Sequence, residues 1–237
     1  MSVTVVDHIL FIVLALVLPF FAVLRVRPQV NLIPSESRIK IRLYWLNSGV
    51  LWVGAIIVMA VWFFTGRSFD IMGWQLIQNE WFPEWVLVIW IFALFYMFDT
   101  FLAWNSVEEN PAAALLPTTW KEVLHFGSVV SLSAGICEEV VFRGFLITYL
   151  MAVLPEGNWN AAAAIGVSSL IFAVLHAYQG GWATVKIALL SVLFGFIFVL
   201  TESLIPVILL HFMVDLIGGF VAFYASRREA AIGVQDD

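Results

Sequence analysis

Seven apolar runs, each close to the roughly 20 residues that a helix needs to cross a bilayer, constrain this chain more than any other feature of it. They fall at about 8–24, 43–64, 85–103, 123–150, 159–177, 183–200 and 204–224. The last three are joined only by the short turns "YQGG" and "TESLIP". Composition agrees: 62% of the residues are hydrophobic and 12% are charged, against about 45–50% and about 25% in soluble domains. The expected fold is therefore an all-α, polytopic membrane helix bundle of seven helices. It becomes eight if residues 115–126 re-enter the membrane. No internal repeat or low-complexity linker divides the chain, so residues 1–237 read as one membrane-embedded domain.

Charge placement tests that count. With the connections numbered by alternate sides, Arg25, Arg27, Arg38, Lys40, Arg42, Lys121, Lys186, Arg227 and Arg228 share one side, and Arg67 stands on the other. That bias follows the positive-inside rule and places the N-terminus outside and the C-terminus in the cytoplasm. The first run carries Asp7 and no basic residue before it, while "RVRP" follows it, which is the pattern of an anchor and not of a cleaved signal. Residues 26–42 read as a basic cytoplasmic loop near anionic lipid. Trp45, Trp52, Trp81, Trp85, Trp104 and Trp120 lie near run ends, as an interfacial aromatic belt would. No basic stripe exists to follow a phosphate backbone, so no nucleic-acid partner is expected. Cys137 is the single cysteine and has no internal disulfide partner.

Ionisable groups within membrane runs are costly and face a bundle interior or a wet cavity. Here they are Asp99, Glu138, Glu139, Arg143, His176, His211 and Asp215, with His125 and Glu202 near run ends. Asp99, close to a cytoplasmic end, reads as snorkelling or structural. Glu139 and Arg143 are four apart in the favourable order and can neutralise each other. Glu138 is rotated about 100° away, which leaves it the freer carboxylate. A buried ion cluster explains Glu139 and Arg143, but a second carboxylate adds desolvation cost unless something else uses it. His176 stands four residues after Phe172, and His211 and Asp215 share one face of the last run. Counted along the runs, Glu138 and Asp215 fall near mid-membrane, His211 toward the outside and His176 toward the cytoplasm.

A carboxylate beside two imidazoles suits water activation, and a histidine with Asp215 suits stabilisation of a developing oxyanion. That set would hydrolyse an amide. A zinc site built from Glu, His and Asp competes with it, but H-E-x-x-H is absent. Ser131, Ser133, Ser168 and Ser169 lack a G-x-S-x-G context, and Cys137, on another face, reads as packing. Gly144, Gly166, Gly195 and Gly218 are candidates for close helix approach.

These motifs resemble a known family. "EEVVFRG" resembles the E-E-x-x-x-R signature of the CAAX prenyl protease-like membrane proteins, the CPBP or Abi family. "FAVLH" is similar to its F-x-x-x-H motif, and "FGFIFVLTESLIPVILLHFMVD" to its last block, which ends H-x-x-x-N or H-x-x-x-D. The resemblance covers about residues 124–219, with the catalytic core at about 123–224. It implies an intramembrane, metal-independent glutamate endopeptidase without a cofactor. In that scheme Glu138 activates water with help from His176, and His211 and Asp215 form the oxyanion side. Glu139, Arg143 and Phe172 support the site. Asp215 stands where the eukaryotic enzymes resemble H-x-x-x-N; it either serves the oxyanion side or orients His211. The Asp form is similar to the prokaryotic branch. The implied substrate is a membrane-associated protein or peptide, cut near its C-terminus, and the implied location is a prokaryotic cell membrane. The competing expectations are a non-catalytic immunity or partner-binding protein of the same fold, a zinc-dependent membrane protease, and a proton-coupled transporter.

Overall fold

The computed structural model describes residues 2–21, 36–76 and 113–233, with side chains to residue 228. The expected third run, 85–103, lies outside the described residues, as do Asp99, Trp81, Trp85 and Trp104. Every described regular element is helical. α1 spans Val5–Phe21 and α2 spans Ser37–Phe64. α3 runs over 120–153, α4 over Asn160–Leu175, α5 over Gly181–Thr201 and α6 over Leu204–Gly233.

The protein is an integral membrane protein. Among the described residues, three helices are long and apolar enough to cross a bilayer: Ser37–Phe64, Gly181–Thr201 and Leu204–Arg228. α1 and α4 are shorter apolar helices, so the described residues alone do not reach the expected seven. Residues 115–126 form no separate passage. Trp120 onward is already the first turn of α3, whose N-terminus is capped by the Thr119 hydroxyl accepting from the Glu122 amide at 3.3 Å.

α3 is not a uniform helix. Wide π-type turns over Phe126–Ser131 and Val140–Ile147 bracket ordinary α-turns over Leu132–Glu139, and such insertions gather at functional positions. The α3–α6 crossing is set by Gly135. A Cβ there would lie 3.1 Å from both the Ile208 carbonyl oxygen and the Phe212 amide nitrogen. Backbone therefore sits where a side chain would go, one turn before Glu138 and Glu139. Gly144 and Gly195 also meet close neighbours, Met72 and Ile165. Gly166 has nothing within 4 Å of its Cβ position, so its expected role in close approach is not what the structure shows. The core holds Trp62, Phe145, Ile147, Ile165, Ile197 and Leu204, while Val50, Val53, Phe64, Leu170 and Leu189 face outward.

Two buried ion pairs pin the ends of the bundle. At one end Lys40 Nζ meets Glu122 Oε2 at 3.2 Å, with the Leu116 carbonyl at 3.0 Å. At the other, Arg67 grips Asp7 through two hydrogen bonds of 2.8 and 2.5 Å. The first pair corrects the expected loop over 26–42. Residues from Ser37 are helical, and Lys40 is buried against Glu122 and not turned toward lipid head groups, because the carboxylate compensates its charge inside the bundle. Residues 26–35 of that stretch lie outside the described residues. Burial would push the Glu122 carboxyl up, but hydrogen bonds from Ser37, Thr118 and Lys40, with the Lys40 charge, hold it down to about 2.

The tryptophans divide between the expected surface role and packing. Trp45 and Trp120 are exposed, Trp52 donates to Ser133 Oγ at 3.0 Å, and Trp62 is wholly buried and donates to the Ser68 carbonyl.

Candidate active site

Glu138 and Glu139 leave α3 on different faces, and their surroundings differ accordingly. Glu139 is fully buried. Its Oε1 accepts from Arg143 Nη1 at 2.9 Å, one helical turn on, and pairs with His211 Nδ1 of α6 at 2.6 Å. Arg143 is buried as well and donates through Nη2 to the Ser191 hydroxyl at 2.9 Å and the Ser191 carbonyl at 3.1 Å, both on α5. Its guanidinium lies over the rings of Phe172 and Phe194, 5.1 and 5.4 Å from their centroids. One carboxylate–guanidinium pair thus ties α3, α5 and α6 together.

Glu138 takes no part in that clamp. Its Oε2 is a buried acceptor without a hydrogen-bond partner. It faces His176 Nε2 at 3.9 Å and His211 Nε2 at 3.7 Å. Both separations exceed a direct hydrogen bond and suit groups that meet through a shared third atom. Asp215 Oδ2 lies 3.8 Å from the same His211 nitrogen. Four polar atoms, from α3, α6 and the turn after α4, therefore lie close together within the bundle.

The hydrogen bonds fix how the histidines present themselves. His176 Nδ1 lies 2.8 Å from the Phe172 carbonyl oxygen, which can only accept. In the neutral ring the proton is therefore on Nδ1, and Nε2 turns a lone pair toward Glu138. His211 Nδ1 likewise donates to Glu139, leaving Nε2 toward Glu138 and Asp215. Phe172 supports the arrangement through its ring too, tilted against His176 at 4.4 Å and edge-on to Phe142.

The expected depth mismatch among Glu138, His176 and His211 disappears in three dimensions. α4 ends at Leu175, so His176 begins a tight turn that brings its ring to Glu138. The close contact to His211 comes from Glu139, not Asp215, because Glu139 faces Nδ1 while Asp215 faces Nε2. Neither role of Glu139 outside the Arg143 pair nor the part played by Ser191 was evident from spacing, since both link separate helices.

Of the serine alternatives, Ser168 donates to the Phe142 carbonyl at 3.1 Å and Ser133 accepts from Trp52, while Ser131 Oγ is buried without a hydrogen-bond partner. Cys137 is buried in the apolar core. Among the described residues, no three His, Cys, Asp or Glu side chains are grouped so as to hold a metal ion.

No curated protein and no solved structure matches the chain. A family model does, over under half of its length. Residues 120–217, which carry all four converging groups, match the model described as type II CAAX prenyl endopeptidase Rce1-like.

Proposed function

We propose that the protein is a membrane-embedded endopeptidase in which Glu138 activates the attacking water. The observation that carries this reading is the buried, unpartnered Oε2 of Glu138 facing Nε2 of both His176 and His211. A buried polar atom left unpaired costs about 1–3 kcal/mol. Glu139 Oε2 is unpaired as well, but Glu139 commits Oε1 to Arg143 and His211, whereas Glu138 stands outside that clamp and faces the two imidazoles.

The chemistry uses the proton on His176 Nδ1 and a His211 ring held doubly protonated between Glu139 and Asp215. Glu138 takes a proton from a water that also hydrogen-bonds to the lone pair on His176 Nε2. The water oxygen bonds to the scissile carbonyl carbon, and the carbonyl electron pair moves to its oxygen. His211, doubly protonated, donates from Nε2 to that oxyanion while Nδ1–H stays on Glu139; Glu139 and Asp215 balance its charge. Collapse of the intermediate breaks the C–N bond, and the proton held by Glu138 passes to the leaving nitrogen. Atoms and charge balance without a cofactor. Removing a general base costs about 10²–10⁴ in rate, which sets the size of effect assigned to Glu138.

The substrate is a membrane-associated polypeptide, cut near its C-terminus. The family's CAAX description supports that position. The basic bias of the alternate connections supports an outside N-terminus, and Asp215 in the last motif supports a prokaryotic cell membrane. The test is comparative membrane proteomics of cells carrying the wild type or Glu138→Gln. C-terminal fragments that need the wild type support the reading. Unchanged processing in a folded, normally expressed Glu138→Gln strain overturns it.

A further inference from the structure

From Ile187 to Leu200, α5 is apolar except at Ser191. A polar side chain in the middle of a membrane helix is costly unless something uses it. Serine and threonine commonly satisfy the hydroxyl on their own helix, one turn back, and α5 does so toward both ends: Thr184 donates to the Gly180 carbonyl and Thr201 to the Ile197 carbonyl, each at 2.7 Å. Ser191 is used differently. It is 2% exposed, and its hydroxyl oxygen accepts from Arg143 Nη2 of α3 at 2.9 Å, with its carbonyl oxygen accepting at 3.1 Å. Three residues on, on the same face, Phe194 lays its ring 5.4 Å from that guanidinium and 5.9 Å from the ring of His211.

A chain of three hydrogen bonds leads from Ser191 to His211. The guanidinium is a planar, rigid fork, so holding Nη2 at Ser191 also fixes where Nη1 points. Nη1 donates to Glu139 Oε1 at 2.9 Å, and the same oxygen accepts from His211 Nδ1 at 2.6 Å. An oxygen that takes two donors is held in direction as well as in place. The imidazole is rigid too. Its Nε2, 3.7 Å from Glu138 and 3.8 Å from Asp215, is therefore aimed by what holds Nδ1. Without the Ser191 hydroxyl the fork loses one of these two acceptors on α5, and it can turn, carrying Glu139 with it.

We propose that Ser191 is a positioning residue of the peptidase site. Acting through Arg143 and Glu139, its hydroxyl sets the angle at which His211 presents Nε2–H to the developing oxyanion. The inference rests on the peptidase reading above and adds to it a residue outside all three polar motifs. Loss of the hydroxyl leaves the general base Glu138 in place and mis-aims the oxyanion donor, so it slows the reaction without abolishing it.

The test reads hydrogen-bonded imidazole protons by magnetic resonance in the full chain, with isotope-labelled histidine, in detergent micelles. A shorter N–H···O bond places its proton further downfield. The His211 Nδ1 proton is assigned by its loss in His211→Asn. The His176 Nδ1 proton, held by the Phe172 carbonyl at 2.8 Å, is the internal reference. Ser191→Ala should move the His211 signal upfield and leave that of His176 in place, and Ser191→Thr, which keeps the hydroxyl, should restore it. In pulse-labelled cells, the C-terminal fragments that depend on Glu138 should appear about tenfold more slowly with Ser191→Ala, the size of one hydrogen bond to a charged group, and at close to the wild-type rate with Ser191→Thr. An unmoved His211 signal overturns the proposal, as does equal movement of both signals, the mark of general loosening. A threonine variant as slow as the alanine variant also overturns it. Wild-type fragment rates in Ser191→Ala overturn it and leave the peptidase reading standing, whereas the absence of Glu138-dependent fragments overturns that reading and the positioning role with it. Ser191→Cys fills the same space with a weak acceptor and supplies the same measurements where the alanine variant fails to fold.

Discussion

Glu139 accepts from His211 Nδ1 across the α3–α6 crossing at 2.6 Å, while Glu138, the next residue back along α3, turns its Oε2 toward Nε2 of the same ring at 3.7 Å. Adjacent carboxylates thus divide into a support and a reactive group. The division follows from helix geometry: residues one apart project about 100° from each other, so only one of the two can face Arg143 and His211 Nδ1.

Glu138→Gln should lower peptide cleavage by about 10²–10⁴-fold, the usual contribution of a general base, and leave the thermal unfolding midpoint in detergent close to that of the wild type. The amide keeps the shape but cannot take the proton. Cleavage assays beside a melting curve check both halves; a collapse of the melting midpoint would assign Glu138 to the structural clamp.

Glu139→Gln should act on stability as well as turnover. Breaking one partner of a buried pair leaves Arg143 uncompensated and costs about 3–5 kcal/mol. The double variant Glu139→Gln with Arg143→Gln should cost less than the sum of the two single changes. Unfolding free energies in mixed micelles provide the cycle, and simple additivity would rule out the coupling drawn from the 2.9 Å contact.

Gly135→Ala should reduce cleavage by about 10–100-fold, because a small displacement of a reacting group is that costly. The added Cβ meets backbone of α6 at 3.1 Å and pushes His211 from Glu138. Gly166→Ala, with open space around its Cβ position, serves as the neutral comparison. Equal activity of the two variants would remove Gly135 from the account.

Stability should fall on acidification through Glu122. Its folded value, about 2, lies below the ordinary 4.5. The contribution is therefore fully present above the unfolded value and is lost as pH drops from about 4.5 toward 2. The size is on the order of 3 kcal/mol. Melting midpoints measured from pH 7 to pH 3 should decline more steeply for the wild type than for Glu122→Gln; parallel curves would show that the Lys40 pair carries no pH-dependent stability.

What could be read along the chain was whatever repeats at helical spacing. Apolar runs gave the all-helical membrane class. The four-residue interval from Glu139 to Arg143 gave their pairing, and the one-residue offset of Glu138 gave its independence. The three polar motifs on separate runs marked the segment that the family model matches. Contacts between distant residues were not legible. Asp7 meets Arg67 across 60 positions and Lys40 meets Glu122 across 82, and no local pattern in either segment names its partner. Depth counted by residues also misplaced His176 and His211, because a linear count assumes uniform helices. α3 contains two wide π-type stretches, and α4 ends before His176. Periodicity, being a property of one helix, determined which side chains share a face. Where those faces meet depended on the close backbone crossing at Gly135 and on the compensation of buried charge by groups from other helices, and only the packed tertiary structure decides those.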